Sequence, residues 1–337
     1  MNIEKRLSLE ALCLFNSWRY KFYHLPFVFI CVNNYCNARC IMCDIWKEPH
    51  NDRLSLEEIE GAIKILLQYK LKEVVISGGE PLLHPEITKI LKLLKEHHLR
   101  VTLCTNGMLL KELGQEVACF TDKLVISLDG DTAPLHDSIR GVPSFDQVLD
   151  GIEYMKGQKN KVELALRCTI QKSNFLRLDK IIEVAKSQKV ESLSFAPVYT
   201  LPGAFGRHQK DLRLALEEKD LAGFILIIKE AIRLYARDFN SGFISTSPQK
   251  LFALHAYFRS ILTQTEFKRS RCILPWVSLV IEPSGDVHPC FFKESIGNLR
   301  QKSLREILCF KDSSIARSNI SNAESCNQCN ADFWRGF

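Results

Sequence analysis

The sequence predicts an α/β fold: a partial (β/α)6 barrel followed by a small C-terminal domain built from a β-hairpin and a helix. Three observations predict it. Six short runs rich in β-branched and aromatic residues alternate with amphipathic stretches across residues 27–197. Alternating βα units build a parallel sheet with helices outside it, and right-handed crossovers let six of them curl into an incomplete barrel. The turns that carry cysteines, paired glycines and carboxylates all follow strands, where the sites of parallel barrels gather. Past Pro197 the rhythm stops, and residues 276–292 read as two strands around the hairpin turn Pro283-Ser284-Gly285-Asp286.

Taken in order, residues 1–24 predict a short amphipathic helix with Leu7, Leu9, Leu12, Leu14, Phe15 and Trp18 as its apolar positions, covering one end of the barrel or forming a lid. The first strand spans 27–32 and breaks at Asn33-Asn34, a turn pair. Ser55-Leu56-Glu57-Glu58 is a capping box opening a helix to residue 70, with Ile59, Ala62, Ile63, Leu66 and Leu67 on one face. Strand 73–77, helix 86–97, strand 100–104 and the turn Thr105-Asn106-Gly107 follow. Strand 123–128, helix 145–156, strand 162–170, helix 176–188 and strand 192–197 complete the barrel. Residues 198–207, with Pro202, Gly203 and Gly206, read as a loop above it, where Tyr199, Arg207 and His208 are candidates to meet substrate. A helix covers 216–237, and 238–270 carry no chemical motif. The expected division is 1–24 helix or lid, 25–200 barrel, 201–270 helical linker and 271–337 C-terminal cysteine-bearing domain.

Composition narrows the function classes. The 337 residues are 46% hydrophobic and 25% charged, ordinary for a globular chain with a large core. The net charge of +6 is not gathered into a basic run, a weak argument for nucleic acid. No signal peptide and no membrane-spanning apolar run is present, so a reducing, cytoplasmic setting is expected. There the thirteen cysteines read as metal ligands or small buried apolar groups rather than disulfides.

Cys36, Cys40 and Cys43 follow the first strand in a C-x3-C-x2-C spacing. Soft thiolates select zinc or iron–sulfur clusters. Structural zinc closes with four ligands, whereas a cubane held by three thiolates keeps one iron open. Gly78-Gly79-Glu80-Pro81 ends the second strand. Paired glycines there let backbone approach a ligand, and Glu80 offers an acceptor for an ammonium group. Ser127 and Asp129 end the fourth strand in a Ser-Leu-Asp-Gly run suited to a diol. Arg167 on the fifth strand suits a carboxylate, the alternative being a helix-pairing or surface role. Asn106 reads as a turn former.

The three cysteines and the later glycine pair resemble the motifs of the radical S-adenosylmethionine (radical SAM) enzymes, whose fold is a TIM-like partial barrel. The resemblance implies that Cys36, Cys40 and Cys43 hold a [4Fe–4S] cluster. Its fourth iron binds S-adenosylmethionine, which is reductively cleaved to a 5′-deoxyadenosyl radical that abstracts hydrogen from substrate. It further implies that Gly78, Gly79, Glu80 and Pro81 bind the amino group of the nucleotide, that Ser127 and Asp129 contact its ribose and that Arg167 meets its carboxylate. Met42 stands where relatives often carry an aromatic residue. His136-Asp137-Ser138-Ile139-Arg140-Gly141 is similar to a segment of relatives with a second cluster.

The C-terminal third gathers Cys272 and Cys290 on the predicted hairpin with the distant pair Cys326 and Cys329. Four thiolates suit either structural zinc or a cluster. The arrangement resembles a shortened SPASM domain, often called twitch, which implies one auxiliary [4Fe–4S] cluster. Of the remaining cysteines, Cys13, Cys31, Cys104, Cys119 and Cys168 read as core, and Cys309 as a substitute auxiliary ligand.

The expected function is therefore a radical SAM oxidoreductase in which a saturated auxiliary cluster accepts an electron. It would act on a small molecule or a peptide, and be fed by flavodoxin or ferredoxin. The short stretch before the first strand tilts the expectation toward a small biosynthetic intermediate. The alternatives are a redox-neutral transferase or isomerase of the same family, a degenerate member that cleaves nothing, or a non-enzymatic zinc- or nucleic-acid-binding protein.

Overall fold

The computed structural model describes residues 9, 11–16, 22–48, 52–202, 205–206, 208–265, 267 and 272–309. Six parallel strands run side by side in chain order: β1 (Phe27–Cys31), β2 (Glu73–Ser77), β3 (Arg100–Thr105), β4 (Lys123–Ser127), β5 (Glu163–Ile170) and β6 (Ser192–Pro197). The helices between them are α1 (Leu56–Gln68), α2 (Ile87–Glu96), α3 (Leu110–Phe120), α4 (Ala133–Arg140), α5 (Phe145–Lys156) and α6 (Leu178–Ser187). Beyond β6 come α7 (Glu218–Leu234), α8 (Ala236–Ser241) and α9 (Pro248–Thr263). The sheet remains open, as the six-unit count requires.

Strand period separates two faces. Val28, Ile30, Val74, Ile76, Val101, Leu103, Leu164 and Leu166 join Ile59, Ile63, Leu91, Val117, Ile152 and Ile182 of the helices in one fully apolar core. The intervening positions turn into the barrel and mix Val75, Val125 and Ala165 with polar residues: Glu73, Thr102, Lys123, Arg167 and Ser194 are all buried. They satisfy one another. Thr102 Oγ1 donates to Glu73 Oε1 at 3.4 Å, Lys123 Nζ lies 2.7 Å from Glu163 Oε1, and Arg167 Nε donates to Ser194 Oγ at 3.2 Å. A buried polar lumen that pairs internally avoids desolvation losses and leaves the strand ends free for chemistry.

The capping box at α1 is present: Glu58 N donates to Ser55 Oγ at 3.1 Å and Ser55 N to Glu58 Oε2 at 2.7 Å. Two helices of the barrel, α3 and α4, escape sequence reasoning, as does α9 beyond it. α3 carries Gly114 in its middle, which lowers intrinsic helicity. The glycine is a packing device, because a Cβ there would stand 2.7 Å from Met155 Sδ and 3.0 Å from the Tyr154 ring on α5. α4 is short, starts with a proline in its first turn and closes on Gly141 in the left-handed region at φ 69°.

The C-terminal segment also differs from expectation. Residues expected to begin a strand at Trp276 form a helical turn, α10 (Leu274–Val277), with Pro275 in its first turn where its missing N–H does no harm. β7 (Ser278–Ile281) pairs parallel with β1, and β8 (Asp286–His288) and β9 (Gly297–Asn298) continue antiparallel. The hairpin thus extends the barrel sheet to nine strands. Its turn is pinned by Arg300, which donates to Glu58 Oε1 at 2.7 Å, Arg53 O at 2.8 Å and Pro283 O at 3.1 Å. α11 (Leu304–Cys309) closes the described chain.

Residues 11–16 are helical, and Leu9 and Cys13 pack on Ile273, Trp276 and Val277 beside Phe27. Phe27 and Ser278 begin β1 and β7, so this segment seals the end of the sheet opposite the cysteine loop rather than lidding the mouth. Asn16, fully buried, fixes it: Nδ2 donates to Trp276 O at 2.7 Å and His24 O at 2.9 Å, and Oδ1 accepts from Tyr23 N at 3.1 Å. Asn16→Ala strands these groups, and a urea denaturation curve is expected to show a loss of about 1–3 kcal/mol.

Candidate functional site

The site lies at the C-terminal strand ends, where the loops after β1, β2, β3 and β4 interlock. The loop after β1 carries Cys36, Cys40 and Cys43. It is pressed onto the loop after β2 by main-chain bonds: Gly79 N donates to Asn33 O at 2.8 Å and Glu80 N to Tyr35 O at 2.5 Å, while Asn33 Nδ2 donates to Glu80 O at 3.1 Å. The glycine pair makes this contact feasible. A Cβ on Gly78, whose φ is 134°, would lie 2.4 Å from Asn33 O, and one on Gly79 would lie 1.9 Å from Tyr35 O. The space freed by the missing side chains is therefore filled by the cysteine loop itself, not held open for a ligand.

Glu80 is wholly buried, and its carboxylate is taken within the chain. Oε1 accepts from Thr105 Oγ1 at 2.7 Å and Leu82 N at 3.1 Å, and Oε2 accepts from Asn106 N at 2.7 Å. Burial pushes its pKa up to about 6, against the pull of these donors. Its side chain thus ties β2 to the turn after β3, and Pro81 begins a 3₁₀ turn directly behind it. Asn106 makes the expected turn through Met108 N and also reaches the cysteine loop, donating to Asn37 Oδ1 at 2.7 Å.

The helix α4 completes the enclosure, and each polar residue of the 136–141 motif has a task. Arg39 N donates to Arg140 O at 2.8 Å and Ile41 N to Ile139 O at 3.0 Å. Asp137 Oδ1 caps α5, accepting from Ser144 N and Phe145 N, both at 2.9 Å. His136 Nδ1 accepts from Asp129 N at 3.2 Å, and burial pushes the ring pKa down to about 3, so the imidazole is neutral. Asp129 is fully buried; Oδ1 accepts from Thr169 N at 2.7 Å, and Oδ2 lies 2.7 Å from Arg140 Nη2. Oδ1 is thus hydrogen-bonded inside the protein, whereas Oδ2 faces the Arg140 guanidinium as an ion pair and has no hydrogen-bond partner. Arg140 Nη1 in turn stands 3.5 Å from Cys40 Sγ.

Sequence reasoning missed this Asp129–Arg140–Cys40 connection, since Arg140 entered only as part of a motif. It also passed over Gln171 and Thr200, beyond β5 and β6. Both are wholly buried, and the Gln171 side-chain amide and Thr200 Oγ1 have no hydrogen-bond partner. Ser127 and Arg167 are register neighbours on β4 and β5. Burial lowers the Arg167 pKa to about 10, leaving it cationic at neutral pH.

The donor set fits an iron–sulfur cluster. Burial pushes the Cys36 thiol up to about 11 and the Cys43 thiol up to about 12, each opposed by a backbone amide hydrogen bond. Metal binding must supply the energy that deprotonates them. Among the described residues no group of three or more His, Cys, Asp or Glu converges tightly enough for a single metal ion. Arg140 Nε, buried beside Cys40, has no acceptor in the chain, and an inorganic sulfide would give it one.

The second thiol group is partly described. Cys290 is buried with Tyr199 and Phe292, packed by Leu201, Phe205, Leu274 and Phe291. Cys272 is partly exposed. Cys326 and Cys329, like Arg207, lie outside the described residues. Cys13, Cys31 and Cys168 are buried as expected, whereas Cys119 and Cys309 are exposed. His208 is exposed and bonds Glu48. Phe205 lies against the cysteine loop: Asp44 N donates to Phe205 O at 2.9 Å, and Cys43 Sγ lies 3.7 Å from the same oxygen. From outside, a cleft of about 790 Å³ reaches Cys40 between Trp46 and residues 209–213, with Arg39, Lys47, Lys210 and Arg213 in its lining.

An open parallel barrel with three thiols above it, Cys40 buried and Cys36 and Cys43 half-buried, defines a cluster-binding α/β protein. Comparison with known families sharpens that class. Residues 30–172 match the radical SAM superfamily, and residues 272–330, which include all four C-terminal cysteines, match the SPASM iron–sulfur cluster-binding domain. The chain is a radical SAM protein with a C-terminal SPASM-type domain. Its cofactors are [4Fe–4S] clusters and S-adenosylmethionine, and neither match supports the zinc or nucleic-acid alternatives. It is 26% identical over 294 residues to an AdoMet-dependent heme synthase of Methanosarcina barkeri, covering 81% of this chain and 78% of that one. It is 31% identical over 190 residues to a probable GTP 3′,8-cyclase of Sulfurisphaera tokodaii, covering 54% and 59%. Two solved structures share the fold. Streptococcus suis SuiB bound to its precursor peptide SuiA has a TM-score of 0.66 at 15% identity, covering 98% of this chain and 76% of that one. The native anSMEcpe with AdoMet and the Cp18Cys peptide has 0.64 at 21%, covering 91% and 86%. No helix among the described residues is long and apolar enough to cross a membrane.

Two outcomes are expected. Gly79→Ala drives a Cβ into the Tyr35 carbonyl, so stability should fall by about 3 kcal/mol, and iron bound per chain, measured after anaerobic reconstitution, should fall with it. Because the folded pKa of His136 is depressed, its contribution is present above pH 6.5 and lost as pH falls toward 3. Denaturation midpoints between pH 6.5 and 4 should therefore drop less steeply in His136→Asn than in the parent, by up to about 1.4 kcal/mol per pH unit.

Proposed function

We propose that the protein is a radical SAM oxidoreductase that removes a hydrogen atom from its substrate and passes the second electron to an auxiliary [4Fe–4S] cluster. The observation that carries this reading is the aromatic layer joining the two thiol groups. Phe205, whose carbonyl touches Cys43, stacks on Phe291 at 6.3 Å between centroids and meets Tyr199 at 6.2 Å. Tyr199 packs on Phe292 at 4.7 Å, and these two rings enclose Cys290. Phe29 of β1 closes the layer against Phe291 at 5.2 Å. A run of aromatic contacts therefore leads from Phe205, beside Cys43, to Cys290.

In this reading Cys36, Cys40 and Cys43 hold the first cluster, and Cys272, Cys290, Cys326 and Cys329 hold the auxiliary one. When bound, cluster and nucleotide supply reductive cleavage of the sulfonium and hydrogen-atom abstraction; the chain binds, orients and shields. The main chain of Gly78, Gly79, Glu80 and Pro81 lines the nucleotide's amino end. Ser127 supplies a hydroxyl for the ribose, and the neighbouring Arg167 guanidinium takes the carboxylate. Asp129 acts on the ribose only indirectly, its carboxylate being committed to Arg140. The aromatic layer excludes water and stray hydrogen donors.

Asp44 and Asp211 also line the cleft that reaches Cys40 and pair with Lys47 and Arg213, and the surplus positive charge of Arg39 and Lys210 would suit an acidic one-electron donor such as flavodoxin or ferredoxin. A reducing, cytoplasmic compartment would suit a chain that uses its cysteines as cluster ligands. For the substrate, both a small molecule and a peptide have support. The heme synthase and cyclase relatives carry the names of small-molecule enzymes, whereas SuiB and anSMEcpe are seen with peptides.

Reduced protein given S-adenosylmethionine is expected to yield 5′-deoxyadenosine, and Cys36→Ala, Cys40→Ala or Cys43→Ala to reduce that yield to background. Cys290→Ala should keep 5′-deoxyadenosine formation while losing the oxidised product. Wild-type rates of oxidised product from Cys290→Ala would show that the auxiliary cluster is not the electron acceptor.

A further inference from the structure

The buried ion pair beside Cys40 joins Asp129 to Arg140, and both members are held by several neighbours. Arg140 is carried to the cysteine loop by the last turn of α4, whose Ile139 and Arg140 carbonyls accept from Ile41 and Arg39 at 3.0 and 2.8 Å. The helix must stop there: Gly141 has φ 69°, and a Cβ on it would stand 2.3 Å from Arg39 O. Asp129 is held independently. Thr169 N binds its Oδ1 at 2.7 Å, Asn174 Nδ2 binds its carbonyl at 2.9 Å, and its own amide binds His136 Nδ1 at 3.2 Å. The guanidinium between them has Nη2 2.7 Å from Asp129 Oδ2, Nη1 3.5 Å from Cys40 Sγ, and Nε without an acceptor.

Stability alone does not account for such a pair. Desolvating two ions offsets most of their attraction, and apolar replacements are often neutral or better. What the arrangement does accomplish is directional. It places the positive end of a fixed dipole, and the N–H-bearing Nη1, at the sulfur of one thiol, with the carboxylate paired to Nη2. Hydrogen bonds to cluster sulfurs and local charge are among the terms that set an iron–sulfur reduction potential. A donor aimed at sulfur favours the reduced, more negative cluster.

We propose that Arg140 is a positioning residue that raises the reduction potential of the S-adenosylmethionine-binding cluster through Cys40, and that Asp129 limits the size of that effect. This rests on Cys40 being a ligand of that cluster. The guanidinium makes the cluster easier to reduce for a modest electron donor. The carboxylate keeps the reduced cluster from being stabilised so far that electron release to the sulfonium stalls.

The test is an EPR-monitored redox titration of the full-length, anaerobically reconstituted protein, following the reduced-cluster signal that changes when S-adenosylmethionine is added. Arg140→Met is expected to titrate at more negative potential than the parent, Arg140→Lys between the two, and Asp129→Asn, which leaves the guanidinium uncompensated, at more positive potential. Iron content and denaturation midpoint are measured alongside. Should Arg140→Met fail to fold, Arg140→Lys and Asp129→Asn decide the matter by shifting in opposite directions. Parent-like potentials in folded variants, or shifts of one sign in all of them, overturn the proposal. A nucleotide-responsive signal that survives in Cys40→Ala overturns instead the ligand assignment beneath it.

Discussion

The structure depends on one steric constraint: two backbones meet where side chains would forbid it. The loop bearing Cys36, Cys40 and Cys43 has no regular structure beyond a single 3₁₀ turn to hold its thiols in place. It is fixed because Asn33 and Tyr35 carbonyls sit in the volume that Cβ atoms at Gly78 and Gly79 would occupy. Main-chain bonds of known length then set the cysteines relative to β2. Glu80 extends the same constraint to β3 through Thr105 and Asn106, and α4 extends it to β4 through Asp129. A loop that must present three soft ligands in one geometry gains its rigidity from neighbours rather than from its own hydrogen bonding.

The barrel supports this arrangement through its unequal faces. The outer face is apolar and continuous with the helices, which gives the sheet its stability. On the inner face several polar residues pair with one another, which offsets part of their desolvation. The C-terminal hairpin then attaches to the free edge of β1, the strand that leads into the cysteine loop. This shared strand brings Cys290 and the rings of Phe291 and Phe292 next to the mouth. Proximity of the two thiol groups thus follows from sheet pairing, not from a flexible tether.

Much of the fold is legible locally. Strands 73–77 and 192–197 and helix 145–156 coincide with their structural bounds, because a period of two or of 3.6 is written in neighbouring residues. The capping box at Ser55 is equally local. The missed elements are those whose logic lies elsewhere in the chain. Gly114 argues against a helix until Met155 and Tyr154 are seen to need its space, and the turn at Leu274 contradicts a strand reading only through Pro275.

The candidate site divides the same way. By itself the sequence determined the kind of chemistry, because ligand type and spacing at Cys36, Cys40 and Cys43 select a metal centre whatever surrounds them. It also determined which end of the barrel would carry that chemistry, since strand and turn follow one another along the chain. Only the tertiary structure decided what Glu80, Asp129 and Arg140 do. A carboxylate or guanidinium takes its role from the partner opposite it, and those partners lie on other strands and helices. The same holds for the glycine pair and the N-terminal segment: unfilled volume and a sealed edge exist only once distant stretches of chain have met.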